Sequence, residues 1–399
     1  MREDWIECYF EDLLDYEQPT KYIVKSTKYN DRYKMPVLTA GKTFIKGYTN
    51  ETDGIFDNLP AIIFDDFTTA TQYVNFKFKV KSSAMKILVP TSKLVNMPLV
   101  YFAMQVNQVR SDTHKRYWIS VFAKKKFLLP PLVEQKAIVK KIEALFSSLD
   151  SGIADLIKAQ DQLVIYRQAV LKKAFEGDWE TTTVGALFDF IGGGTPSKRE
   201  PNYWNGNIPW ASVKDIKGDF LKNTQDFITE EGLENSSANL AKKNEIILIT
   251  RISPGKSIIS EIDTAINQDL KIVKPKFDTF NKFIHYLFKS TERKIVKLSS
   301  GTTVKGINLN NLKSIEISKI KLQEQHKIVQ EIESRLSVCD KVEKDIANSL
   351  EKAQALRQSI LKKAFEGTLL SLEEIEKCKQ HKEYEPASVL LGRIKKHKA

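Results

Sequence analysis

At 399 residues the chain is long for one core and comfortable for two domains. A hydrophobic share of 42% argues against disorder, and a net charge of +12 favours partners that carry phosphate. The longest apolar runs, such as Ile246–Ile249, are far too short to span a membrane, and the acidic start MREDWIECYFEDL has no apolar centre of a secretory leader.

Three cysteines (Cys8, Cys339, Cys378) and five histidines are scattered without disulfide or metal-ligand spacing, which fits a reducing compartment. Residues 1–131 carry Lys+Arg minus Asp+Glu of +5 and residues 178–321 carry +4, so most of the excess charge lies in these two segments. Both look β-rich. YVNFKFKVKSSAMKILV (Tyr73–Val89) alternates in parts, EIILITRIS (Glu245–Ser253) is β-branched, and Gly192-Gly193-Gly194, Asn205-Gly206-Asn207 and Pro254-Gly255 punctuate the second segment as turns.

Between and after them stand two copies of one 46-residue element. Residues 132–177 and 322–367 align without a gap, are identical at nineteen positions, and share the ending LKKAFEG. Asp4-Trp5 and Asp178-Trp179 begin a second, shorter repeat ahead of each. Both copies lack proline, and their apolar residues recur at alternating three- and four-residue steps, which predicts two long coiled-coil helices. Ile138, Ile142, Leu149, Leu156 and Leu163 form the first seam, with Leu145, Tyr166 and Val170 beside them. Ile328, Ile332, Ile346, Leu356 and Ile360 form the second, with Cys339, Val342 and Ala353. About 44 residues at ~1.5 Å each make a helix of roughly 65 Å, which cannot bury its own seam. The economical solution packs the two helices on each other. Because a globular segment lies between them in sequence, they must run antiparallel, with a pseudo-two-fold relation between the copies. Gly177 and Gly367 are expected to cap them. Phe146, Leu156, Ile157, Phe175, Leu336 and Leu350 lie partly off the seam and either dock partners or pack beneath the globular domains.

The expected layout is therefore α+β: two β-rich mixed α/β domains at 1–131 and 178–321, helical spacers at 132–177 and 322–367, and a tail at 368–399. A repeated frame holding two diverged domains suits the reading of two unlike half-sites on DNA at a fixed spacing.

Motifs for chemistry are missing. Phe190-Ile191-Gly192-Gly193-Gly194 has the F-x-G-x-G form of adenine methyltransferases, but Thr195-Pro196 follows and no N/D-P-P-Y/F exists to hold the target amine, so a Gly-rich turn is the better account. There is no G-x-x-x-x-G-K-S/T. Asp65-Asp66 either makes a turn, accepts from a cytosine amine, or caps a neighbouring element; a metal role lacks the further carboxylate and lysine that a nuclease needs.

The stretches EQxxIVxxIE at Glu134–Glu143 and Glu324–Glu333, the LKKAFEG endings, PVLTAGKTFIKGYT (Pro36–Thr49), IIFDDFTTA (Ile62–Ala70), NIPWASVKDI (Asn207–Ile216), SSGTTVKGINLNNL (Ser299–Leu312) and EPASVLLGRIK (Glu385–Lys395) resemble the specificity subunits of Type I restriction-modification systems. The resemblance covers almost the whole chain. The first domain departs from it, lacking the Gly-rich IPW element of the second. The resemblance implies two target recognition domains and a non-catalytic, cytoplasmic protein. It also implies double-stranded DNA as partner, with two modification and two restriction subunits and no membrane. S-adenosylmethionine, ATP and magnesium would belong to those subunits, with no cofactor or metal in this chain. The alternative is a coiled-coil scaffold whose globular ends bind proteins. Cations and hydroxyls in loops are the expected DNA contacts: Lys42, Lys46, Thr68, Thr69, Arg110, Lys115 and Arg116 in the first domain, and Lys198, Arg199, Lys214, Arg251, Lys256, Thr303 and Lys305 in the second.

Overall fold

The computed structural model describes residues 2–41, 43–107, 116–301 and 304–398. They divide into two compact units, Met1–Leu156 with Asn348–Ala399, and Ile157–Ala347.

In the first unit, β1 (Ile6–Tyr9) leads through the one-turn helix α1 (Phe10–Leu13) into β2 (Leu14–Glu17). There follow β3 (Met35–Leu38), β4 (Ile45–Thr49), β5 (Ala61–Asp65), β6 (Thr71–Val74), β7 (Lys79–Val80), β8 (Met85–Pro90), helix α2 (Met97–Val106), β9 (Lys126–Leu129) and the long helix α3 (Leu132–Ala174). The main sheet runs β2-β8-β5-β6, all antiparallel. A smaller sheet, β4-β3-β7, joins β3 parallel to β7, and β1 pairs with β9. The continuous apolar run of β5 has a simple cause. Ile62 and Phe64 face a core that α2 and the long helices complete, while Ala61 and Ile63 face a second core with Phe56, Phe78 and Val80. A strand buried on both faces need not alternate.

The second unit repeats this plan with β10 (Glu180–Thr183), α4 (Val184–Leu187), β11 (Phe188–Gly192), β12 (Trp204–Ala211), β13 (Phe220–Leu221), β14 (Asp226–Ile228), α5 (Glu230–Glu234), β15 (Asn239–Ala241), β16 (Ile246–Ile249), β17 (Ser257–Ser260), β18 (Thr264–Ile266), β19 (Leu270–Pro275), α6 (Asn281–Leu298), α7 (Leu309–Lys313), β20 (Glu316–Lys319) and the long helix α8 (Leu322–Phe365). Its sheet β11-β19-β16-β17 matches β2-β8-β5-β6 strand for strand and adds β13; β12 pairs with β14 and, in parallel, with β18, as β3 does with β4 and β7; β10 pairs with β20 as β1 does with β9. β16 again faces two cores, Ile246 and Leu248 one way and Ile247 and Ile249 the other. The two diverged segments are thus one fold used twice, including the first domain that lacks the IPW element.

The long helices contribute to both units, and in each their segments run antiparallel. In the first, Asp150 pairs with Arg357, whose guanidinium lies 4.3 Å over the Phe146 ring, and Ile138, Val139 and Ile142 share a core with Ile360, Leu361 and Phe365. In the second, Leu171 shares a core with Ile328, Val329 and Ile332. The seam is narrower than its spacing suggests. One heptad row of α8 is buried: Ile332, Cys339, Ile346, Ala353 and Ile360. The other row is buried only at Ile328, and Leu356, expected in the seam, is 51% exposed, as Val342, Leu145 and Tyr166 are also exposed. Two helices in water cover a thin stripe, and residues one step around the helix lie on its open flank. Leu149, Leu156 and Leu163 are half-buried on the matching face of α3. Phe146, Phe175 and Leu336 pack onto the cores of their own units, whereas Ile157 is exposed and Leu350 half-buried.

The caps differ from each other. Gly367 has φ +75 and closes α8 with Thr368 N–H donating to the Lys363 carbonyl and Gly367 N–H to that of Ala364. Gly177 is not left-handed; a Cβ there would lie 2.8 Å from the Trp179 ring, so its smallness serves close packing.

The tail completes the first unit. Leu370, Ile375, Leu390, Leu391 and Ile394, on and before α9 (Leu372–Lys379) and α10 (Ala387–Lys398), enter its core. Tyr384 donates to Asp4 at 2.7 Å, and Ala387 N–H to the Asp4 carbonyl.

Candidate nucleic-acid interface

The hairpin β5–β6 of the first unit and its counterpart β16–β17 of the second carry, at their tips, Thr68 and Thr69, and Arg251 and Lys256. These are equivalent places in the repeated fold, which the sequence does not align.

In the first tip, the Asp65 carboxylate accepts from the backbone N–H of Phe67 at 2.8 Å and of Thr68 at 2.9 Å, making a turn. The buried Asp66 accepts from Trp118 N–H at 2.9 Å, which caps the irregular helical turn after Arg116. Both carboxylates are therefore used locally. Lys86 is buried beside them, 3.9 Å from Asp66, with its ammonium 4.8 Å over the Tyr16 ring; burial lowers its pKa, against the pull of Asp66. Arg116 and Thr68 are exposed at this end, and Lys46 is exposed on β4. Thr69 is a correction. It is 5% exposed at φ +58, its N–H held by the Asp65 carbonyl, so it shapes the tip and does not face solvent. Lys42, Arg110 and Lys115, like Thr303 of the second domain, lie outside the described residues.

In the second tip the chain is tied on two sides. Thr250 donates through N–H and Oγ1 to the Asp269 carbonyl, and Ile307 N–H donates back to Thr250. Ile252 N–H donates to the Lys305 carbonyl at 2.8 Å, and Arg251 bridges to Gly306. Arg251, Lys256 and Lys305 are thereby gathered, all exposed. The Arg251 guanidinium lies 3.2 Å from the buried Asp269, whose other carboxylate oxygen accepts from Asn267. This ion pair keeps the arginine at the tip while leaving its other donors free for a guanine edge or a phosphate.

Lys214 follows β12, whose end is bonded to Asn267 N–H, but its ammonium is engaged 2.6 Å from Asp226, which raises its pKa. Lys198 and Arg199 are exposed in the loop before β12, and among the described residues no hydrogen bond or ion pair joins their side chains to the tip. Within the F-x-G-x-G form, Gly193 and Gly194 sit against neighbouring chain, while Gly192 meets only the Lys271 side chain: a Cβ on Gly193 would lie 2.2 Å from the Ile266 carbonyl oxygen, and Gly194 N–H donates to that oxygen. They are a close crossing of chains.

Sequence reasoning missed Lys86, Asp269 and Ile252. A lysine inside the apolar run AMKILV is a signal for the first. Asp269 has none, because its partner lies eighteen residues away across a sheet. Among the described residues no group of three His, Cys, Asp or Glu side chains is placed to hold a metal, and no helix is long and apolar enough to cross a membrane.

A groove of about 1300 Å³ lies within the second unit between α3, α6 and α8. Ile165, Phe220 and Val296, all exposed, line it, with Arg167, Lys289 and Asp340 among its charged residues.

Residues 2–159 and 176–352 match the family model described as the Type I restriction modification DNA specificity domain. The chain is 36% identical over 364 residues to the Type I restriction enzyme EcoR124I/EcoR124II specificity subunit of Escherichia coli, covering 86% of this chain and 89% of that protein. It is 27% identical over 300 residues to the StySPI specificity subunit of Salmonella potsdam, covering 68% of this chain and 63% of that one. The HsdS subunit structure from Thermoanaerobacter tengcongensis superimposes with a TM-score of 0.58 at 17% identity, over 92% of this chain and 98% of that one. A chain from a structure of a type I R-M system superimposes with a TM-score of 0.70 at 16% identity, over 92% and 99%. With the family model matching each half, the chain belongs to the DNA-specificity subunits of Type I restriction-modification systems.

Proposed function

We propose that this chain reads a split DNA target, one half with residues 1–131 and the other with 178–321, while the helices at 132–177 and 322–367 set the distance between the halves and the tail at 368–399 supports the first reader. The observation that supports this is the use of one fold twice, with Arg251, Lys256 and Lys305 gathered at the hairpin tip of the second copy and Arg116 exposed beside the same tip of the first. The chain itself does no chemistry in this reading. It seats two modification subunits, which bring S-adenosylmethionine and methylate adenine N6, and two restriction subunits, which bring ATP and magnesium; the complex works in the cytoplasm. An adenine inside a duplex must be everted to be methylated, and the pocket for it belongs to the modification subunit. The groove between α3, α6 and α8 is a docking surface for that subunit.

The test is methylation mapping on genomic DNA from cells that express this chain with its modification subunit. The expected result is a bipartite motif with modified adenine on both strands, lost when this chain is deleted. Exchanging residues 178–321 for those of a relative should change one half of the motif; a change in both halves would overturn the two-reader assignment. A coiled-coil scaffold without DNA specificity would give no motif beside an active partner.

A further inference from the structure

Ile252 is a β-branched residue at φ +74, where side chains other than glycine are rarely found. It is the middle of a three-residue turn closed by Ser253 N–H donating to the Arg251 carbonyl at 2.9 Å, a strained form of backbone. The surroundings enforce it: Ile252 N–H is held by Lys305, and Gly255 N–H by Ile249. The strain is not repaid by burial, since Ile252 is 56% exposed. On the tip of the first unit the left-handed residue is Thr69, whose N–H donates to Asp65 just as that of Gly255, also left-handed, donates to Ile249, so Gly255 is its counterpart. The left-handed backbone at Ile252 and its outward apolar side chain are therefore particular to the second copy. Val304, 43% exposed beside Lys305, adds a second apolar group, and Arg251, Lys256 and Lys305 surround the pair with positive charge.

Cations around an exposed apolar tip match a duplex, whose phosphates flank the base edges. The apolar group that a base pair presents at its edge is the thymine C5 methyl. We infer that Ile252 is a specificity-determining residue of the second domain, making apolar contact with a thymine methyl in its half-site. This rests on the DNA-reading function proposed above.

The experiment uses the complex of this chain with its modification subunit. Ile252→Gly removes the side chain and suits the left-handed backbone. The variant should keep or raise the melting temperature while preference for thymine at one position of the second half-site falls about tenfold. A merely structural side chain would instead lower the melting temperature and leave the motif unchanged. Deoxyuridine in place of that thymidine removes the methyl alone. It should slow methylation by the unsubstituted protein and by an Ile252→Val variant, with no added effect on Ile252→Gly. Unchanged preference in Ile252→Gly, or equal sensitivity of all three proteins to deoxyuridine, would overturn the inference. Failure of the unsubstituted protein to methylate any bipartite motif would instead overturn the reading beneath it.

Discussion

Arg167 of α3 lies 2.7 Å from Asp340 of α8 and also reaches Glu343 at 2.8 Å, a clamp placed beside the buried row Ile332, Cys339 and Ile346. The two carboxylates are largely exposed. Exposed pairs contribute little after solvent screening, whereas deletion of a buried branched side chain costs about 2–5 kcal/mol. Arg167→Ala should therefore cost less than ~1 kcal/mol and Ile332→Ala several times more. Urea denaturation checks the order; a larger loss for Arg167→Ala would mean that charge orients the helices.

The repeated EQ pair is used unequally. Gln135 and Gln325 do the same thing, each donating from Nε2 to a carbonyl five residues earlier, Pro130 at 2.8 Å and Ile320 at 2.9 Å. Glu134 is 2% exposed and accepts from Trp5 Nε1–H at 2.9 Å while pairing with Arg2. Glu324 is near the surface and pairs with Lys327 one turn on. Glu134→Ala should cost about 3–5 kcal/mol, because it strands a buried donor and a partly buried cation. Glu324→Ala should cost less than ~1 kcal/mol. Thermal melting of the two variants measures the difference.

Acid should weaken both units through depressed carboxylates. His285 and Lys289 hold Asp219 well below its ordinary value in the second unit. In the first, Lys141 and the Ser371 N–H hold Glu374 down at about 2, from 4.5. A carboxyl depressed by folding stabilises above its unfolded pKa and loses that contribution as pH falls through the folded value. For Glu374 the window runs from 4.5 down to about 2. Its partial exposure keeps the effect small. Glu374→Gln should flatten the fall in melting temperature over that window, and Lys141→Met should flatten it less, because the Ser371 N–H still holds the carboxylate. An unaltered slope in both would show that the pair is not coupled to folding.

Lys256 and Lys305 face solvent at the second tip and suit phosphate. Replacing either by alanine should weaken binding to all duplexes alike and reduce the salt slope of log K by about 1. Lys214→Ala should have a smaller effect, since its ammonium is already held by Asp226. Binding titrations at several salt concentrations separate the three.

The long helices were legible because a period of three and four survives in sequence wherever one face is buried. Leu356 shows the limit of that signal: period marks a face, not how far the partner covers it. The strands of the reading domains were legible as apolar runs, but their order was not, since β10 pairs with β20 across more than a hundred residues and no local pattern records the partner. The tip residues divide in the same way. Arg251 and Lys256 could be chosen from their place after a β-branched run and beside Pro254-Gly255. The inward turn of Thr69 and the buttress of Arg251 on Asp269 depend on chain crossings that sequence spacing does not carry.

The second unit is one unbroken stretch, Ile157–Ala347, whereas the first needs residues from both ends of that stretch, with Leu390 and Ile394 in the same core as Trp5 and Phe10. Domains fold as they leave the ribosome, usually the earlier one first. Here the second unit has all its residues when Ala347 is made, while one of the two cores of the first lacks Ile360, Leu361, Leu390 and Ile394 until α8 and α10 arrive. Slow translation between the two leaves that core of the first unit incomplete for longer, and a chain stopped short of α10 should yield a folded second unit beside an incomplete first.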